Sequence, residues 1–110
     1  MRQGEIWIAD LSPSKGSEQD GLRPVVIVSG DLLNQHLPVV IAMPLTSKVK
    51  KYKGNPVLTP STLNGLKNES EMLVFHIRSI SKDRFINKVG TIEPTQLETA
   101  IKTLNDILKY

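Results

Sequence analysis

The hydrophobic residues of this chain change their period once, near its end. From Ile6 to Ile92 they stand in short, mostly β-branched runs closed by glycine, proline, asparagine or serine. From Leu97 onward they recur at helical spacing, as Leu97, Ala100, Ile101, Leu104 and Leu108, with Gln96, Glu98, Thr99 and Lys102 on the other face. Short apolar runs bounded by turn residues are buried strands. The runs predict strands over Ile6–Ile8, Val25–Val28, Val39–Leu45, Pro56–Leu58, Met72–Ile80 and Lys88–Ile92, with one helical turn around Leu32 and Leu33 and another over Lys82–Phe85. Asn64-Gly65 suits a tight turn. The helix has a marked start: Pro94 fits the first turn, and Gln96 falls three residues after a cap at Glu93. Five to six short strands and one terminal amphipathic helix predict a mainly β (α+β) fold, a small antiparallel barrel with the helix packed on it, as a single domain over residues 1–110.

Composition narrows the chemistry. The 110 residues contain no cysteine, which removes thiolate nucleophiles, disulfides and thiolate metal sites and fits a reducing cytoplasm. No apolar run approaches the roughly 20 residues of a membrane span, and the N-terminus enters a strand pattern without an apolar leader, so no membrane partner is expected. A net charge of +3 leans mildly towards polyanions. Residues 16–21 lack the lysine and hydroxyl of a phosphate-cradling Walker loop. His36 and His76 stand far apart with no carboxylate at ligand spacing, so neither a metal nor a cofactor is expected. No Gly-x-Ser-x-Gly elbow presents a nucleophilic serine.

Strand ends carry what remains. Between a small polar loop, Gly16 to Gly21, and the core strand from Val25 stand Arg23 and Pro24. Proline fixes its own φ, biases Arg23 to extended backbone, and is tolerated at a strand's first residue. Two readings are open: an arginine closing a strand end against Glu18 or Asp20, or a fixed guanidinium awaiting a phosphate. Thr46-Ser47 closes the third strand. If strands two and three are antiparallel neighbours, Arg23 meets both hydroxyls at one rim of the sheet; the alternative is simple turn chemistry. Lys48, Lys50, Lys51 and Lys53 follow, with Tyr52 among them. Such a run is either a solvated face or a strip that follows a nucleic-acid backbone and stacks one base.

Gly4-Glu5-Ile6-Trp7, Asp10-Leu11-Ser12-Pro13, Lys15-Gly16-Ser17-Glu18-Gln19, Gly21, Arg23-Pro24-Val25 and Thr46-Ser47 stand in an order and spacing that resemble the MazF/PemK family of toxin endoribonucleases. Ile77-Arg78-Ser79-Ile80 is similar to that family's Gln-Ile-Arg-Thr-Ile-Asp stretch, and the likeness continues to the terminal helix. The resemblance implies an SH3-like barrel acting as a homodimer. It also implies sequence-specific cleavage of single-stranded RNA or mRNA without a metal, and a cognate antitoxin that threads a disordered acidic segment through the RNA groove. Arg23 and Thr46 carry over as active-site residues, and Glu18 matches the glutamate of the Gly-x-Glu-Gln loop. Ser17, Gln19, Ser47, the four lysines, Tyr52 and Arg78 are the expected RNA contacts.

The chain departs from the family in residues that bear on the base. Phe75-His76 stands where relatives carry an acidic residue and glutamine, Leu73 where some have an arginine, and Ser17 where some have a histidine. Metal-free cleavage by the adjacent 2′-OH needs a base there, charge stabilisation at phosphorus and an acid at the leaving 5′-oxygen. Arginine stays protonated, so Arg23 is a stabiliser and no base. The base is then Glu18 or His76, an imidazole being suited to proton transfer near neutrality; His76 as a groove residue contacting a nucleobase is the other reading. Two different classes of function compete: a barrel toxin of gyrase-poison type that acts by binding protein, and an RNA-binding barrel that does not cut.

Overall fold

The computed structural model describes residues 1–12 and 21–110. Its elements are β1 (Glu5–Asp10), β2 (Leu22–Ile27), α1 (Asp31–His36), β3 (Val39–Thr46), β4 (Val57–Leu58), β5 (Ser70–Met72), β6 (Arg78–Ser81), β7 (Phe85–Thr91) and α2 (Pro94–Lys109). The strands form one antiparallel sheet in the order β4-β5-β3-β2-β1-β7, with β6 also paired to β3. This is the mainly β, helix-terminated architecture that the strand spacing predicts.

Both faces of the central strands are covered, which explains why their sequences are continuous apolar runs and not alternating ones. Ile6, Val26, Val28, Met43 and Leu45 lie on one side with Leu97, Ala100 and Leu104 of α2. Ala9, Val25, Ala42 and Ile80 lie on the other side with Phe85. In β1 the buried residues Ile6 and Ala9 are three apart, the odd spacing by which strand alternation sends one to each side of the sheet. The sheet curls until the turn after β4 meets β7: Thr91 donates its N–H to the Leu63 carbonyl at 3.0 Å. Gly90 and Gly65 make that closure possible. A Cβ on Gly90 would stand 2.3 Å from the Asn64 carbonyl oxygen, and one on Gly65 would stand 2.3 Å from that of Val89.

Two expectations need correction. The strand predicted over Met72–Ile80 is broken into β5, a 3₁₀ turn at Val74–His76, and β6. β5 pairs Met72 with Leu45, and β6 pairs Arg78 with Ala42, so six steps of chain face three steps of β3. The 3₁₀ turn takes up the excess. Splitting this strand raises the count to seven. The helix begins as expected, with the Gln96 side chain accepting the Glu93 N–H at 2.9 Å. Its stripe is narrower than its period suggests, however: Leu97, Ala100 and Leu104 pack, whereas Ile101 and Leu108 are exposed.

Candidate functional site

The end of β3 is a ridge between two clefts. β2 and β3 pair antiparallel as far as Val25 with Pro44. The larger cleft, about 460 Å³, is lined by Arg23, Ser47, Lys67, Asn68 and Asn87, with Ile8 and Leu45 among its apolar residues. Arg23 is half-buried in β2, its backbone registered with Ala9 of β1, which fixes where its side chain starts. The smaller cleft, about 260 Å³, is lined by Thr46, Lys48, Lys50, Tyr52, Phe75 and His76 over Glu71 and Leu73. Successive strand residues project to opposite faces. Ser47 therefore joins Arg23 in one cleft and Thr46 faces the other, so the single pocket expected at this rim is two pockets sharing a dipeptide wall.

Thr46 is 9% exposed, and its hydroxyl accepts the Lys48 N–H at 3.1 Å. The turn chemistry expected of it is present. The same O–H still has a proton to donate. Across the smaller cleft the 3₁₀ turn sets two rings side by side, Phe75 and His76, with centroids 4.7 Å apart. Tyr52 meets Phe75 edge-on at 5.8 Å. Tyr52 and Phe75 are both half-exposed, so the rings present open faces and edges to the cleft.

The basic loop owes its shape to a residue that composition does not reveal. Glu71 is completely buried in β5, opposite Thr46. Its Oε1 accepts the N–H groups of Lys50 at 2.8 Å and Lys51 at 2.9 Å, and its Oε2 accepts those of Tyr52 at 3.0 Å and the Asn55 side chain at 2.9 Å. Burial alone pushes this carboxyl up. The bonds from Asn55 and the three amides outweigh burial and hold it below the ordinary carboxylate range. Lys51 takes a positive φ of 57° to aim consecutive amides at one acceptor. The loop is tied to α2 where Thr103 donates its hydroxyl to the Gly54 carbonyl at 2.6 Å.

The expected residues Ser17, Glu18 and Gln19 lie outside the described residues, as does Asp20. What is described is the frame at the ends of their segment. The Leu11 N–H meets the Gly21 carbonyl at 2.9 Å, and the Gly21 N–H meets the Ser12 hydroxyl at 3.1 Å. The Arg84 guanidinium spans the Asp10 carbonyl at 3.0 Å and the Ser12 carbonyl at 2.5 Å. Residues 12 and 21 are thereby held together two positions from Arg23. Lys51 and Lys53 are exposed on the basic loop but line neither cleft, and Arg78, half-buried in β6 beside Ala42, lines neither as well. Sequence reasoning misses Glu71, Asn55, Lys67, Asn68, Asn87 and Arg84. An acid running directly into an apolar stretch, as in Glu71-Met72-Leu73, is the one signal that could have marked Glu71.

Comparison with known proteins places this geometry in a family. The endoribonuclease MazF9 of Mycobacterium tuberculosis is 36% identical over 97% of this chain and 98% of its own length. The endoribonuclease MazF of Staphylococcus saprophyticus is 39% identical over 89% of this chain and 82% of its own. Among solved structures, MazF from Deinococcus radiodurans superposes with a TM-score of 0.86 at 24% identity, covering 100% of this chain and 97% of that one. A MazE–MazF structure from the same organism superposes with a TM-score of 0.79 at 25% identity, covering 99% and 96%. The family described as PemK-like, MazF-like toxins of type II toxin–antitoxin systems matches residues 2–108, and the chain belongs to it.

Proposed function

We propose that this toxin is a metal-independent endoribonuclease that cuts single-stranded RNA at the Thr46-Ser47 ridge. The observation that carries the reading is the pair of clefts meeting at that ridge, one holding Arg23 and the other holding a hydroxyl, lysines and aromatic rings. A strand laid across the ridge leaves its phosphate between Arg23 and the two hydroxyls and a nucleobase on either side. Tyr52, Phe75 and His76 supply the stacking and edge contacts that sequence-selective binding of unpaired RNA uses.

The reaction is attack of the 2′-oxygen on the adjacent phosphorus with departure of the 5′-oxygen, leaving a 2′,3′-cyclic phosphate and a 5′-OH. The proton leaves the 2′-OH for Glu18 or His76, and the departing 5′-oxygen takes its proton from water. Arg23 stabilises the phosphorane dianion, with Ser47 holding one non-bridging oxygen from the larger cleft and Thr46 the other from the smaller. Lys48, Lys50, Lys51 and Lys53 follow the backbone on the smaller-cleft side, and Ser17, Gln19 and Arg78 extend the contact. The unit works as a homodimer in the cytoplasm, and a cognate antitoxin silences it by laying an acidic segment over the same cations; the Deinococcus MazE–MazF structure supports such a partner.

Incubating the purified protein with a long single-stranded RNA in excess EDTA tests this. Fragments with 5′-OH and cyclic-phosphate ends are expected, with folded Arg23→Ala losing at least about 10²-fold in rate. RNA that is bound but left intact would replace the reading by the non-cleaving barrel. Absence of both binding and cleavage would replace it by a protein-binding toxin.

A further inference from the structure

Four donors converge on the two oxygens of Glu71, and three of them are consecutive backbone amides of the lysine loop. Consecutive amides turned inward make a concavity of the kind that elsewhere binds phosphate. In this chain a buried carboxylate already fills it, so the loop has only side chains left to offer a polyanion. The arrangement also sets one buried negative charge beneath four cations, and that opposes their mutual repulsion. Asn55 carries the connection further: its side-chain oxygen receives the Val74 N–H at 3.4 Å, at the start of the 3₁₀ turn that presents Phe75 and His76.

We propose that Glu71 is a positioning residue for RNA binding: its carboxylate preforms the loop of residues 48–55, so that the lysines and Tyr52 meet the RNA backbone without first being ordered. The proposal rests on the reading of this protein as an RNA-cleaving toxin. It assigns control over KM to a buried acid that neighbours Thr46 across the sheet but whose carboxylate oxygens are taken up by the loop amides and Asn55. The barrel's own pairing needs no part of this network, because β5 keeps its backbone bonds to β3 and β4 whatever side chain stands at position 71. Ordering the loop before binding removes a cost that the complex would otherwise carry.

Glu71→Gln separates the possibilities. A carboxamide accepts through one oxygen and turns an NH₂ towards donors that it cannot satisfy, so the loop should be released while the barrel holds. Hydrogen exchange at the amides of Lys50, Lys51 and Tyr52 should accelerate relative to β1, β2 and β3. Single-stranded RNA binding changes by roughly 0.7 log unit per phosphate contact per decade of salt. Disengaging one or two contacts at 0.1 M should therefore raise KM about 5- to 25-fold, with kcat changing less. Glu71→Asp, with all four acceptor positions one methylene shorter, should fall between. In a protein with Lys48, Lys50, Lys51 and Lys53 all replaced by alanine, Glu71→Gln should raise KM much less, by the Tyr52 contact alone. An unchanged KM in a protein with a released loop overturns the proposal, and so does an equal rise in both backgrounds. Should the glutamine variant fail to fold, Asn55→Ala, which removes one of the four donors, takes its place in the same cycle with a smaller expected effect. Repeating the cycle as equilibrium binding of a single-stranded oligonucleotide tests Glu71 independently of whether the wild-type protein cleaves.

Discussion

Replacing Thr46 by valine removes a hydroxyl and little else, and the structure gives separate magnitudes to the two roles it can have. As an acceptor it holds the Lys48 N–H at 3.1 Å at the end of β3. Lys48 is exposed, so its freed amide finds water, and the loss should stay near 0.5–1.5 kcal/mol. For a domain of this size that lowers Tm by roughly 4–8 °C per kcal/mol. Valine keeps the β-branched shape suited to a buried strand end, so no cavity adds to the cost. As a donor to the phosphorane, the same hydroxyl contributes far more. Loss of one such donor elsewhere lowers kcat by ~10²–10³. Single-turnover cleavage at saturating protein, measured beside a thermal melt, reads both quantities. Thr46→Val should melt a few degrees lower and cut at least about 10²-fold slower, and Thr46→Ser should recover most of the rate. A valine variant that melts lower yet cuts at the wild-type rate would refute the catalytic role and leave Thr46 a turn acceptor.

Replacing the four loop lysines by alanine should flatten the salt dependence of RNA binding. If they engage two to four phosphates, the log–log slope should drop by ~1.4–2.8, as measured by titration at several salt concentrations; an unchanged slope would make them solvated bystanders. If His76 is the base, single-turnover cleavage should show an acid limb that His76→Gln abolishes. If Glu18 is the base, that limb should survive His76→Gln and vanish in Glu18→Gln. Glu5 sets an acid limit on stability. Burial pushes its carboxyl up, but the Trp7 ring N–H at 3.0 Å, the Arg2 amide at 3.0 Å and the Lys88 ammonium at 3.1 Å overcome this and hold it at about 2. A folded-state value below the unfolded one stabilises above about pH 4.5 and is lost as pH falls towards 2. The stabilisation is on the order of 2–3 kcal/mol, the lower end allowing for a half-exposed Lys88. Denaturant titrations of wild type and Glu5→Gln should therefore differ most at neutral pH and converge by about pH 2. A difference independent of pH would show that the carboxylate's charge is not what stabilises.

The strands of this barrel are legible in the sequence where burial on both faces makes an uninterrupted apolar run, as in Val25–Val28 and Val39–Leu45. The helix is legible because its period and its cap coincide at Glu93, Pro94 and Gln96. Met72–Ile80 reads as one strand for the same reason, and there the pattern misleads. Val74 and Ile80 are both buried, so burial alone cannot distinguish a straight strand from two short ones joined by a turn. Only the mismatch in length against β3 forces the break, and a mismatch between segments thirty residues apart leaves no trace in local periodicity. The exposed Ile101 and Leu108 mislead in the opposite direction, because helical spacing reports a face without reporting how much of it the barrel covers.

The site follows the same division. The strand ends that carry Arg23 and Thr46 can be read from the sequence, because Pro24 and the end of an apolar run mark them. That Thr46 and Ser47 serve different clefts follows from strand alternation, once the strand is known to extend to residue 46. Glu71 escapes because its partners are mostly backbone amides, which all residues but proline have and which no residue type advertises. Phe75 and His76 become interpretable only with the 3₁₀ turn in place. On a continuous strand they would point to opposite faces; on the turn they stand together and line the smaller cleft with Thr46. At a position where the family offers an acid, this chain therefore offers an aromatic surface stabilised by Tyr52, with one imidazole at its edge. A surface of that kind favours holding a base over removing a proton. On that reading we propose that proton transfer falls to Glu18; residues 12 and 21, on either side of its segment, are held together by Arg84 and the Leu11–Gly21 pair two positions from Arg23.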